Sequence, residues 1–150
     1  EIGNKGVTLM ICDSTNIFSL GRSGSEDEVR KNLLKIIERL KKKIIVTSFA
    51  SNVARMETIF YCAKKTGRQI SLVGRSMHRI YNAAKQCGYL KDLIEPVDPR
   101  ESKNFSRDKI IYLCTGSQGE PMGAMNRIIN GVHQEVYLEK DDCVIFLVMI

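Results

Sequence analysis

Short apolar runs alternate along this chain with stretches in which apolar residues recur every three or four positions. The periodic stretches predict amphipathic helices, and the short runs predict strands. Because the runs are continuously apolar, the strands are expected to be buried on both sides, as in a parallel sheet. The pattern therefore predicts an α/β fold, with a Rossmann-like parallel sheet and helices on both faces. The predicted strands are Gly6–Cys12, Ile44–Thr47, Ile70–Val73, Ile110–Cys114, Glu135–Leu138 and Cys143–Val148.

Local signals place the ends of the helices. Ser25, with Glu28 three residues later, forms a capping box before a periodic stretch that ends near Leu40. Ser51 is the expected cap of the next helix, and Gly67 is its expected stop. A third helix follows the strand at 70–73 and ends at Gly88. Residues 89–108 contain two prolines and are predicted to be a long loop, with one short strand near 93–97.

The stretch Lys109–Glu120, KIIYLCTGSQGE, is the most informative in the chain. It predicts a buried strand, a tight turn at 115–119, and a helix with Glu120 and Pro121 in its first turn. Such a turn presents backbone N–H groups, and the helix dipole adds partial positive charge, so phosphate is a plausible ligand. Glu120 is expected to face away from it. The alternative is that Gly and Ser serve only the turn.

The carboxyl ends of parallel strands share one edge of the sheet, where ligands bind. Four turns are predicted to meet there, and they carry hydroxyls, an aromatic ring at Phe49 and a cation at Arg75. That combination suits a phosphodiester with a base to stack on, although short polar turns are also normal in this architecture. The four turns are Asp13–Thr15, Ser48–Asn52, Gly74–Ser76 and Thr115–Glu120.

Composition narrows the function classes only modestly. The 150 residues suit one domain, and the net charge of +6 favours a polyanionic partner. Five cysteines without a C-x-x-C pair predict buried free thiols in a reducing cytoplasm. His78 and His133 lack metal-ligand spacing and are expected to be structural or solvated. No apolar run is long enough to span a membrane, and no Walker or G-x-G-x-x-G motif supports a nucleotide cofactor.

Five strings occur in order along the chain: CDSTN, GRSGSE, TSFASNVARM, LVGRSMHRI and CTGSQGEP. Together they resemble the ribonuclease J family, in the β-CASP branch of the metallo-β-lactamase nucleases, from about Gly6 onward. The resemblance implies a cytoplasmic, homo-oligomeric ribonuclease with two zinc ions in the full-length enzyme. Such an enzyme degrades RNA from a 5′-monophosphate end and also cuts internally.

The resemblance also assigns regions and residues. Residues 1–16 would be a strand and linker from the metallo-β-lactamase domain, and 17–150 a β-CASP domain truncated at its C-terminal end. Asp13 matches the motif A acid, which supports the metal centre through a ligand histidine. Two turns match stretches that face RNA, and Arg75 joins them from the sheet-edge argument. The predicted RNA-binding residues are Phe49, Ala50, Ser51, Asn52, Arg75, Gly116, Ser117, Gln118 and Gly119.

The zinc ligands of the family are expected elsewhere. Its H-x-H-x-D-H motif belongs before residue 1, and its S-G-H-A stretch belongs after residue 150. We therefore expect no metal site within these residues and no activity from the chain alone. The ending FLVMI departs from the family's FSS-type ending. Two alternatives stay open: a stand-alone nucleotide- or RNA-binding Rossmann-like module, and a scaffold domain for a protein partner.

Overall fold

A computed structural model describes residues 2–11, 18, 20, 21 and 24–147. The strands are β1 (Ile44–Thr47), β2 (Gln69–Val73), β3 (Ile110–Cys114) and β4 (Cys143–Phe146). The α-helices are α1 (Ile2–Lys5), α2 (Glu26–Arg39), α3 (Val53–Lys65), α4 (Arg75–Gln86) and α5 (Ala124–Ile129). Two short 3-10 helices cover Glu101–Asn104 and Arg107–Lys109.

All four strands run parallel, in the order β2-β3-β1-β4. Thr47 pairs with Cys114 and Phe146, and Val73 also pairs with Cys114, so the four strands end at one level. Val97 forms a single parallel bridge to Ser71 on the outer side of β2. This confirms the predicted α/β fold with a parallel sheet.

Alternate side chains of each strand pack on opposite faces of the sheet. On the first face, residues such as Val46 and Leu113 pack beneath α2, α3 and α4. There the Phe60 and Tyr81 rings of α3 and α4 stack with their centroids 5.5 Å apart. On the second face, Tyr112 and its neighbours pack against α5 and Val136. The predicted helices on both faces are therefore confirmed.

The chain leaves neighbouring strands toward opposite faces. The helices that follow β1 and β2 lie on the first face, whereas α5, which follows β3, lies on the second. Because β3 lies between β2 and β1, the helix that follows β3 lies on the opposite face of the sheet from the helices that follow both of its neighbours. Reversals of this kind open crevices at the carboxyl ends of strands, which is where α/β sheets bind ligands.

Two helix starts differ from the sequence prediction. Asn52, and not Ser51, caps α3, because its Oδ1 accepts the Arg55 N–H at 2.9 Å. The last helix begins at Ala124, so the prediction that Glu120 and Pro121 open it is wrong. Residues 120–123 form a separate turn, in which Gly123 N–H donates to Glu120 O at 2.8 Å. The capping box of Ser25 and Glu28 is confirmed.

Two predicted strands are also absent from the described residues. Residues 135–138 form no strand, because His133 Nδ1 accepts the N–H groups of Glu135 and Val136, at 3.3 and 3.1 Å. Those donors are then not available to a strand ladder. Residues 6–11 are irregular, and their large apolar side chains are exposed without a partner strand in the described part of the chain. None of the described helices has the length and apolar character needed to cross a membrane.

A buried ion-pair cluster joins the amino ends of three strands. Asp142, just before β4, has a fully buried side chain and receives hydrogen bonds from two cations. Arg107 Nη2 lies 2.6 Å from its Oδ1, and Lys43 Nζ lies 3.1 Å from its Oδ2. Glu139 adds a backbone N–H donor at 2.8 Å. Lys43 precedes β1 and Arg107 precedes β3, so this carboxylate links the starts of β1, β3 and β4.

The charge on Asp142 is stabilised by this cluster. Burial by itself would raise the pKa of the carboxyl. The hydrogen bonds from Arg107, Glu139 N–H and Lys43 outweigh burial, and the pKa lies below its usual value. A carboxyl whose pKa is lowered by folding adds stability above its unfolded pKa, and that stability is lost as the pH falls through the folded pKa.

We predict that Asp142→Asn lowers the free energy of unfolding at pH 7 by about 2 kcal/mol, because it removes the buried one of the two carboxylates that pair with Lys43 and Arg107 and leaves only Glu139. The difference between wild type and variant should shrink as the pH falls below about 4, where Asp142 of the unfolded wild type takes up a proton, and it should vanish below the lowered pKa of the folded state. Urea unfolding at pH 7 and pH 3 measures both effects.

The matched control is Asp141→Asn. Asp141 is the exposed neighbour, with φ 70°, a conformation that asparagine tolerates. It should change stability by less than about 0.5 kcal/mol. Equal effects of the two substitutions would contradict the assignment of Asp142 as the anchor.

Candidate nucleic-acid interface

The change of face at β3 predicts a first crevice between the carboxyl ends of β1 and β3. Ser48 N–H donates to Cys114 O at 3.0 Å, which holds the two strand ends together. The turn at 48–52 follows β1, and the turn at 115–120 follows β3. The fold therefore brings the predicted residues Phe49–Asn52 and Gly116–Gly119 to the two sides of one crevice.

The β1 side of this crevice combines structural and accessible groups. Phe49 and Ala50 are half-buried, and Ala50 packs against the first-face core. Ser51 is exposed at the turn. The amide oxygen of Asn52 is already engaged as the cap of α3. The groups best placed to meet a ligand are thus the accessible part of the Phe49 ring and the Ser51 hydroxyl.

The glycines of the β3 turn differ in what they do. Gly116 has φ 114°, and a Cβ added there would lie 2.7 Å from Met125 Cβ. It allows the turn to lie directly on α5, where Met125 N–H donates to Thr115 O at 3.0 Å. Gly119 has φ 73°, and no atom lies within 4 Å of its added Cβ. Gly116 is therefore a packing position, and Gly119 is the one on the open side.

Two buried hydroxyls at the ends of these strands have no partner. Ser117 is 5% exposed and Thr47 is fully buried, and neither side-chain oxygen makes a hydrogen bond within the part of the chain described. Leaving a buried polar group unpaired costs about 1–3 kcal/mol, so each of these hydroxyls can take up a water or a ligand group; the core hydroxyls of Thr58 and Ser71 are unpaired in the same way among the described residues. Ser117 lies within the turn that the sequence singled out as an anion cradle.

Glu120 differs from its predicted orientation. Its Oε2 accepts the Gln118 N–H at 2.9 Å, so the carboxylate turns into the turn and does not face away. The reason is the late start of α5, which leaves Glu120 outside the helix and free to satisfy a turn donor. Gln118 itself is exposed. A side-chain anion therefore already occupies one of the N–H groups that were expected to hold phosphate.

A second crevice lies between β2 and β3, and it contains a cavity of about 1040 Å³. Arg75, the first residue of α4, lines this cavity together with Thr115. The sequence grouped Arg75 with Phe49, but the structure places Arg75 on the β2 side of β3. Two further arginines line the cavity and escaped sequence reasoning, Arg79 and Arg127, and both histidines, His78 and His133, lie in its wall. The spacing of Arg75 and Arg79, one helical turn apart, was the available signal.

Both histidines contact the backbone. His78 Nε2 lies 3.0 Å from Leu72 O, which makes it the donor. His133 Nδ1 accepts two backbone N–H groups, so the ring is neutral and carries its proton on Nε2. Burial, reinforced by the nearby charge of Arg127, lowers the pKa of His133. These contacts agree with the predicted structural role of both rings.

The buried cysteines Cys62 and Cys114 are not suited to act as nucleophiles. Burial raises the pKa of the Cys62 thiol to about 11 and that of Cys114 to about 12, so both stay protonated. Cys87 is exposed, contrary to the prediction of a buried thiol, because it follows the last turn of α4 on the solvent side. All four cysteines in this part of the chain are free.

Comparison with known proteins identifies the family. The model of the family "Ribonuclease J, beta-CASP domain" matches residues 41–149. The chain belongs to this family. It is 41% identical over 146 residues to ribonuclease J 1 of Streptococcus pyogenes, and 40% identical over 146 residues to ribonuclease J of Mycolicibacterium smegmatis. Each alignment covers 97% of this chain and 26% of the relative. Ribonuclease J of Thermus thermophilus is 34% identical, with coverages of 97% and 25%.

The chain thus spans about a quarter of the length of the curated ribonucleases J that it matches. Asp13, the predicted motif A acid, lies outside the described residues. Within 2–11, 18, 20, 21 and 24–147, no group of three or more His, Cys, Asp or Glu side chains is placed to hold a metal ion. The described residues therefore do not fit a zinc site.

We predict that the two turn glycines respond differently to replacement. Gly116→Ala should lower the free energy of unfolding by at least about 2 kcal/mol, because the methyl group meets Met125 at a φ that alanine disfavours. Gly119→Ala should cost about 1 kcal/mol, the strain of a positive φ alone. Urea unfolding of both variants tests this, and a Gly119 variant as unstable as the Gly116 variant would contradict the open position of Gly119.

Proposed function

We propose that this chain is the RNA-binding β-CASP part of a zinc-dependent, cytoplasmic ribonuclease J. The whole enzyme would degrade RNA in the 5′-to-3′ direction, prefer a 5′-monophosphate end, also cut internally, and assemble as a homo-oligomer. Membership of the family supports an RNA-directed nuclease. The zinc ions would be held by parts of the enzyme outside this chain, and the isolated chain would be inactive.

The observation that carries the binding role is the unpaired, buried hydroxyl of Ser117 at the β1–β3 crevice. A phosphate oxygen is a strong acceptor for such a hydroxyl, and charge-assisted hydrogen bonds of this kind are about twice as strong as neutral ones. The exposed Ser51 hydroxyl and the Phe49 ring across the crevice offer contacts to the adjoining sugar and base. The turn would hold the terminal phosphate and so set the position of the RNA end.

Glu120 makes this binding conditional. Its carboxylate accepts the Gln118 N–H, so a phosphate that uses the same donor must displace it. Repulsion between the two anions weakens phosphate binding for as long as Glu120 stays in the turn. The proposed site is therefore partly blocked by its own side chain, and removing that charge should improve it.

We predict opposite effects for two substitutions in the complete reading frame that contains this chain. Ser117→Ala should lower kcat/KM on 5′-monophosphate RNA about ten- to a hundredfold, the loss of one hydrogen bond to a charged group. Glu120→Gln should lower KM for the same RNA, because it removes the competing charge. The measurement compares cleavage of matched RNAs with 5′-monophosphate and 5′-hydroxyl ends.

The control is Glu101→Gln, an exposed carboxylate that starts a 3-10 helix elsewhere in the chain. It removes the same charge and should leave both substrates unaffected. If Ser117→Ala and Glu120→Gln keep the wild-type rate and end preference, the residues at 115–120 are only a turn. Cleavage by the 150-residue chain alone, with tightly held zinc, would contradict the proposal that this chain binds RNA while other parts of the enzyme hold the zinc ions.

A separate prediction concerns Asp13. If it orients a metal-ligating histidine, Asp13→Asn in the complete protein should lower activity or zinc affinity about 10- to 100-fold with little change in the unfolding midpoint. Activity and zinc content are measured on the same preparation, after dialysis against a chelator. Normal turnover together with a normal zinc content would exclude the motif A role.

A further inference from the structure

The cavity between β2 and β3 gathers positive charge from two helices on opposite faces of the sheet. Arg75 and Arg79 come from α4, one helical turn apart, and Arg127 comes from the last turn of α5. Because residues four apart on a helix lie on the same side of it, the two α4 arginines approach the cavity together. Three guanidinium groups therefore surround one space of about 1040 Å³.

These arginines lack the carboxylate partners that several other arginines of the chain have. Arg30, Arg55 and Arg107 each form an ion pair with a carboxylate. In the described parts of the chain, no ion pair involves Arg75, Arg79 or Arg127, and Glu135 is the one carboxylate of the cavity wall. The cavity is thus electropositive, and its uncompensated charge favours an anionic ligand.

His133 adds a neutral donor to the same wall. Its Nδ1 accepts the N–H groups of Glu135 and Val136, so the proton is on Nε2. An imidazole held in this tautomer by two backbone contacts can donate one hydrogen bond without carrying a charge. Guanidinium forks and an N–H donor are the groups that bind phosphate oxygens in proteins.

The wall also offers apolar surface. Met122 is 91% exposed and lines this cavity beside Pro121. A bare inorganic anion would make no use of that surface, whereas the sugar or base attached to a phosphate would. The lining therefore suits a phosphate ester of a nucleotide, either within an RNA strand or as a free mononucleotide.

We propose that this cavity is a second phosphate-binding site for RNA, with Arg79 and Arg127 as its phosphate-binding residues. It is separate from the β1–β3 crevice, because the two lie on opposite sides of β3. The inference rests on the proposed function only in naming RNA as the ligand. It extends that function by giving the chain two phosphate contacts on one strand of RNA, one on each side of β3.

The test uses the 150-residue chain and the double variant Arg79→Gln/Arg127→Gln. Both side chains are exposed and outside the core, so the variant should fold, and its thermal midpoint verifies this. Binding of labelled single-stranded RNAs of about 4 and 16 nucleotides is measured by fluorescence anisotropy at several salt concentrations. Binding of AMP is measured by calorimetry.

For the longer RNA, we expect the double variant to bind about tenfold more weakly. Its plot of log K against log salt should be shallower by about 1.4, which corresponds to two lost phosphate contacts on a single strand. The matched control is Lys35→Gln/Arg39→Gln, which removes two exposed charges from α2. The control should bind RNA with an affinity within about twofold of the wild type, and its salt plot should keep the wild-type slope.

The RNA and nucleotide arms separate the possible sources of the phosphate. If the double variant binds the 16-mer more weakly than the wild type does but binds the 4-mer almost as well, the site is assigned to the RNA backbone, as proposed. Loss of AMP binding with unchanged binding of both RNAs assigns it to a free nucleotide and overturns the RNA proposal. Unchanged binding of all three ligands, or no measurable binding of any of them by the wild type, overturns the cavity as a phosphate site.

The Ser117→Ala chain, tested in parallel, separates this inference from the proposed function. If RNA binding depends on Ser117 but not on Arg79 and Arg127, the cavity is not a second site, and the proposed function stands. If it depends on the two arginines but not on Ser117, the cavity binds RNA, and the assignment of the β1–β3 crevice is wrong. If the double variant Arg79→Gln/Arg127→Gln fails to fold, the single variant Arg79→Gln provides the same comparison with the wild type.

Discussion

The buried carboxylate of Asp142 is the contact on which the arrangement of the sheet most depends. It receives Lys43 from the start of β1 and Arg107 from the start of β3, and it lies itself at the start of β4. Parallel strands have no tight turn to fix their register, since every connection crosses a face of the sheet. A shared ion at the amino edge supplies that constraint. Its consequence appears at the opposite edge, where Thr47, Cys114 and Phe146 end at one level.

Levelled carboxyl ends make the two crevices possible, and the packing of the β3 turn determines their shape. Gly116 lets that turn lie on α5, and Gly123 approaches Gly116 so closely that an added Cβ would be 2.8 Å from its Cα. The turn is thereby fixed at the point where the connection changes face. One crevice opens toward β1 and the other toward β2, so the two candidate sites share the β3 turn as a common wall.

The sequence predicted the parts of this structure that depend on local pattern. The run Ile110–Cys114 was bounded correctly because it is buried on both faces and stops abruptly at a glycine turn. The start of the last helix was not, because Glu120 and Pro121 form a good first turn in isolation. The packing of Gly116 against Met125 delays the helix to Ala124. Residues 135–138 have strand-like composition, but His133 takes two of their N–H groups.

In the candidate site, too, the sequence indicated only the features that depend on local pattern. The two turns were found from sequence because their glycines and hydroxyls are contiguous and follow apolar runs. The cationic cavity was missed because Arg127 lies some fifty residues after Arg75, and only the pairing of β2 with β3 brings them together. Periodicity along one helix cannot report a charge contributed by another helix across the sheet.

The electrostatics of the two crevices differ in a way that bears on how RNA would approach them. The β1–β3 crevice already holds an anion of its own in Glu120, which contacts the Gln118 N–H. The β2–β3 cavity has three arginines against one carboxylate. Long-range attraction acts before short hydrogen bonds form, so a polyanion should be drawn first to the cavity. Once a strand is held there, the local concentration of its neighbouring phosphates at the first crevice rises, and displacing Glu120 becomes easier. A partly blocked turn beside an uncompensated basic cavity would therefore favour ligands with several phosphates over those with one.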